Sequence, residues 1–104
     1  MANVYISAIT EAELLRGVAK KPEAKNLAVA VKEFLLRVET LSWDSNAARS
    51  YAQLRTDCEA EGKSLGAMDM LIAAHSISAK TTLITNDKAF YNIAGYLALE
   101  DWSK

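Results

Sequence analysis

Short apolar stretches separated by longer segments of helical period leave this chain few folds to choose from. Val4-Tyr5-Ile6-Ser7-Ala8-Ile9 is brief and rich in β-branched and aromatic residues, the composition of a buried strand. Val38 to Trp43 and Thr81 to Thr85 have the same character, and Tyr96 to Leu99 supplies a last edge strand. Between these segments, apolar residues recur at the spacing of one helix face: Leu14, Leu15 and Val18; Leu27, Val31, Phe34, Leu35 and Val38; Ala47, Tyr51, Leu54 and Cys58. Ala67 to Ser78 is apolar almost all round, as expected of a helix packed between other elements, with Met68 and Met70 as adaptable core fillers. Strands that return through helices pair in parallel, so the pattern predicts an α/β sandwich with a mainly parallel sheet flanked by helices.

Local signals set the expected boundaries. Thr10 begins the first helix, and Thr10-x-x-Glu13 has the form of a capping box, in which each side chain satisfies a backbone N–H left open at a helix start. Gly17 with Lys20-Lys21-Pro22 marks its end, and Pro22 or Glu23 opens the second helix. Asp44 or Ser45 caps the third, which Gly62 stops. Asn86-Asp87 reads as a turn, followed by a short helical piece from Ala89 to Ile93.

At 104 residues the chain suits one domain, residues 1–104, with a single core. Its hydrophobic share of 51% and charged share of 24% match a packed fold rather than a disordered one. No apolar run approaches the roughly 20 residues needed to cross a bilayer, so no membrane association is expected. The lone Cys58 has no partner for an internal disulfide, which agrees with a reducing cytoplasm, and it reads as a core residue. A net charge of −1 argues against a sequence-independent grip on nucleic acid by the whole surface. Lys20, Lys21 and Lys25 could still make a local basic patch.

Three acids stand out. Glu13 follows the first apolar stretch, Asp69 heads the apolar helix, and Asp87 follows Leu83-Ile84-Thr85. Ligands of an open parallel sheet bind beyond the carboxyl ends of its strands, and carboxylates gathered there offer hard oxygen ligands to Mg²⁺. A bound cation of that kind can activate water against a phosphate, which makes a metal-dependent hydrolase the leading expectation. Singly, each acid has a structural explanation: Glu13 in the capping box, Asp69 at the positive end of a helix, Asp87 in a turn. Together they point to an ion. His75, the only histidine, reads as a hydrogen-bonded packing residue.

The segments Ile6-Ser7-Ala8-Ile9-Thr10-Glu11-Ala12-Glu13-Leu14-Leu15-Arg16-Gly17, Gly66-Ala67-Met68-Asp69-Met70-Leu71-Ile72-Ala73-Ala74-His75 and Leu83-Ile84-Thr85-Asn86-Asp87-Lys88-Ala89-Phe90, with the ending Glu100-Asp101-Trp102, resemble the PIN-domain ribonuclease toxins of VapC type in order and spacing. The resemblance implies a Mg²⁺- or Mn²⁺-dependent endoribonuclease, often acting on tRNA. It also implies the toxin half of a type II toxin–antitoxin system: a cytoplasmic homodimer silenced by an antitoxin that binds DNA. It makes Glu13, Asp69 and Asp87 the catalytic and metal-binding carboxylates, with Thr85 and Asn86 lining the substrate site.

The family opens with an apolar central strand ending in an aspartate, then two helices, ahead of the segment matching Val4 to Ile9. This sequence has no counterpart to them. The expected fold is therefore PIN-like but incomplete at the N-terminus, with low activity. Three explanations stand: a fragment of a longer product, a gap filled by another copy or chain, or a rearranged sheet. A catalytically inactive remnant serving as a binding or dimerisation module is the competing function. A response-regulator phosphoacceptor domain is disfavoured, because no paired acids follow the first strand.

Overall fold

The computed structural model describes residues 4–85 and 88–101, apart from the side chains of 84, 85 and 101. The chain divides into two compact units, Met1–Ser42 and Trp43–Lys104, each described by itself.

In the first unit the order is β1 (Tyr5–Ser7), α1 (Ala8–Lys20), α2 (Lys25–Arg37) and β2 (Glu39–Leu41). The two helices form the crossover that lets β1 and β2 run parallel, with Tyr5 opposite Glu39, Ile6 opposite Thr40 and Ser7 opposite Leu41. The Glu39 N–H donates to the Val4 carbonyl at 2.8 Å, which extends the ladder by one rung.

The first helix starts earlier than its sequence suggests. Ser7 has extended dihedrals (φ −74°, ψ 147°), and its hydroxyl accepts from the Ile9 N–H at 3.0 Å, so Ser7 is the N-cap. Thr10 is already inside the helix and Glu13 is in the second turn, which rules out the capping box expected between them. Gly17 is carried within α1 to Lys20. The second helix begins at Lys25 rather than at Pro22, with Ala24 as an N-cap that makes no side-chain hydrogen bond.

The second unit holds α3 (Ser45–Ala60), α4 (Ala67–Ser78), β3 (Leu83–Thr85), a 3-10 segment (Lys88–Tyr96) and β4 (Leu99–Asp101). The Asp44 carboxylate accepts from the Ala47 N–H at 3.0 Å and caps α3. Past the C-terminal end of α3, Gly62 takes φ 71°, the left-handed conformation that glycine adopts without steric cost. Leu54 and Cys58 of α3 pack with Met70, Ala73 and Ala74 of α4 and with Phe90 and Ile93 to form the core. Met70 fills that core as expected, but Met68 is exposed. Two residues are 200° apart around a helix, so the two methionines cannot share a face.

β3 and β4 also run parallel, with Leu83 opposite Leu99 and Thr85 opposite Asp101. Tyr96 belongs to the 3-10 segment, and the last strand begins three residues later, at Leu99. All four described strands pair in parallel, in two pairs, β1–β2 and β3–β4.

Candidate metal-binding carboxylates

Glu13 lies on α1 with its side chain exposed. Asp69 occupies the third position of α4 and is half-buried. Its burial follows from its neighbours at helical spacing: Ala73, one turn on, is fully buried, and Ile72 packs against the core, so Asp69 lies at the edge of the apolar face.

Gly66 is the N-cap of α4 and supplies no side-chain hydrogen bond, and a β-carbon built there would lie 3.9 Å from Asp69 Oδ2. The carboxylate thus lies back toward the N-terminal end of the helix, where the backbone dipoles favour negative charge. One directional contact reaches the next turn. The Trp43 indole Nε1 donates to the Leu71 carbonyl at 3.1 Å, and the indole meets the Tyr51 ring edge-on at 6.3 Å between centroids. No motif in the sequence signals this hydrogen bond, because its partner is a backbone atom 28 residues away.

Thr85 ends β3, and its side chain is not described; Asn86 and Asp87 lie outside the described residues. Among the described residues no three His, Cys, Asp or Glu side chains form a metal-sized group, and Asp87 is not one of those residues. His75 is buried at 5% exposure, as expected of a packing residue. Cys58 is fully buried in the core. Lys20, Lys21 and Lys25 are exposed around the junction of α1 and α2. Glu13, Asp69 and Asp87 would offer only carboxylate oxygens, a donor chemistry that suits a hard divalent cation such as Mg²⁺ or Mn²⁺.

Residues 1–96 match the PIN domain family. Ribonuclease VapC2 of Rickettsia felis is 35% identical over 101 residues, which cover 97% of this chain and 75% of that protein. The tRNA(fMet)-specific endonuclease VapC of Salmonella typhimurium is 39% identical over 104 residues, covering 97% of this chain and 76% of that one. Among solved structures, VapBC2 from Rickettsia felis bound to a promoter DNA fragment superposes with a TM-score of 0.88 at 36% identity, covering 96% of this chain and 75% of that chain. The chain belongs to the PIN-domain family. Within that family its relatives include the VapC ribonucleases. No described helix is long and apolar enough to cross a membrane.

Proposed function

We propose that this protein is a VapC-type toxin, an endoribonuclease that cleaves RNA, tRNA among its targets, with the help of Mg²⁺ or Mn²⁺. The observation that carries this reading is the similarity to a named ribonuclease across 97% of the chain at 35% identity. The similarity to VapBC2 bound to promoter DNA supports a cognate antitoxin as the partner that holds the nuclease silent, and a homodimer is its expected assembly. Its place of action is the cytoplasm, where such an RNA substrate is found.

Glu13, Asp69 and Asp87 would hold the cation, which when bound supplies positive charge at the scissile phosphate and lowers the pKa of a water. The rest falls to the chain. Asp69 lies in the first turn of α4, while Thr85, at the end of β3, and Asn86, next in the sequence, would orient the phosphate. Lys20, Lys21 and Lys25 would attract the RNA backbone from the exposed α1–α2 junction.

Cleavage of a labelled tRNA in Mg²⁺, with and without EDTA, is the direct assay. The expected result is metal-dependent cleavage that Asp69→Asn abolishes while the helical circular dichroism is retained. Cleavage indifferent to EDTA, or unchanged in the variant, would overturn the role given to Asp69.

A further inference from the structure

We propose that α2 is the face on which two copies of this chain meet, antiparallel, about a two-fold axis at Ala30. The assignment rests on the homodimer reading given above and not on the metal site. Four of the nine large apolar residues exposed among the described ones, Leu27, Val29, Phe34 and Leu36, lie on this one helix. Neither α1 nor α2 has a fully buried residue. A surplus of outward apolar side chains on one element marks an interaction surface.

At about 100° per residue, α2 presents apolar side chains in three directions. Half-buried Ala28, Val31 and Leu35 make the inner one. Leu27, Ala30 and Phe34, spaced by three and four, form a second beside it, in which Leu27 and Phe34 are 39% and 42% exposed and Ala30 is exposed between them. Val29 and Leu36 lie in the third, on the far side, and alternate there with Lys25 and Lys32. A second copy laid on that third side would set Lys25 and Lys32 among their own counterparts, and like charges repel.

The second direction, by contrast, complements itself. Ala30 is small and lies between two large apolar residues, which lets two helix axes approach at that point. Reversing a copy about Ala30 sets each Leu27 beside the partner's Phe34. The ends match as well. Glu23 stands just before the N-cap of α2 and Arg37 is its last residue, both exposed and neither in an ion pair among the described residues. Antiparallel copies bring Glu23 to the partner's Arg37 twice across the axis, with the helix dipoles opposed, whereas parallel copies bring acid to acid and base to base. A helix of 13 residues is about 20 Å long, so the contact is at the small end of specific interfaces, and the association it holds is weak and concentration-dependent.

Sedimentation equilibrium of the full chain over two decades of concentration gives the dimer dissociation constant, with circular dichroism and thermal unfolding recorded for each variant. The expected result is a monomer–dimer equilibrium that Ala30→Arg shifts toward monomer by about tenfold or more, through a charge forced into the crossing point. Glu23→Arg or Arg37→Glu alone should weaken the dimer by about tenfold, because each reverses two pairs at once. The double variant should return to the natural value, a rescue that loss of folding could not imitate. Leu36→Lys, on the far side, should leave the dimer unchanged. A dimer indifferent to Ala30→Arg, or a double variant no tighter than either single one, would overturn α2 as the contact while leaving the homodimer standing. A chain that stays monomeric throughout would overturn both.

Discussion

Cys58 shows how one buried side chain links packing to pH. It is 0% exposed, and burial, reinforced by the negative charge of Glu61, pushes its thiol above the ordinary range. The folded chain therefore keeps the proton that the unfolded chain gives up above about pH 8.5. Stability from this group is fully present below that value and is lost as pH rises from there through the folded pKa. Urea unfolding is expected to show a midpoint that falls above about pH 8.5 in the natural chain and falls less in Cys58→Ala; parallel profiles would contradict it. The face carrying Ala47, Leu54 and Cys58 was legible in the sequence because its spacing has only one helical reading, and the cap was legible as Asp44 or Ser45, of which the fold uses Asp44. Ser7 was not. Ser7 and Thr10 can both cap a helix, and the choice is made by where β1 stops pairing with β2, at the rung joining Ser7 to Leu41. That is tertiary information, and with it the capping explanation for Glu13 falls away.

At the scale of elements, α4 is bounded at Ala67 and Ser78 where the apolar pattern placed it, but its exit is strained. Lys80 follows the helix at φ 55°, a left-handed conformation that costs an L-residue roughly 1–2 kcal/mol. The chain is held there because the Ser76 hydroxyl donates to the Thr81 carbonyl at 2.8 Å and the Thr81 N–H returns to the Ser76 carbonyl at 3.0 Å. Lys80→Gly should stabilise the protein by about 1 kcal/mol, net of the extra entropy glycine has when unfolded, and thermal unfolding would register this as a higher midpoint. A lower midpoint would show that the strain is already relieved elsewhere. The last expected strand is present but displaced, for a different reason. Lys88–Tyr96 consists of short 3-10 turns that meet at a non-helical Ile93 (φ −122°, ψ 26°), and Phe90 and Ile93, 4% and 0% exposed, hold the segment in the core. Tyr96 ends that segment, and the strand expected from Tyr96 to Leu99 runs instead from Leu99 to Asp101. The Tyr96 hydroxyl then donates to the Glu61 carboxylate, tying the segment to the end of α3.

At the scale of the whole molecule, the order of strands and helices fixed the class of fold, because parallel pairs joined through helices admit few arrangements. The described strands pair as β1–β2 and β3–β4, where the pattern of segments alone led to a single mainly parallel sheet. The candidate site was legible as residue types in a particular order. Its geometry was not, since Glu13, Asp69 and Asp87 are separated by 56 and 18 positions and only folding can unite them. The central claim is that these three carboxylates share one divalent ion, and crystals grown with Mn²⁺ test it most directly through anomalous diffraction. The predicted result is a single peak within coordination distance of carboxylate oxygens from Glu13, Asp69 and Asp87. A saturating Mn²⁺ concentration that leaves no peak at Asp69, or that puts the ion on residues other than these three, would contradict it.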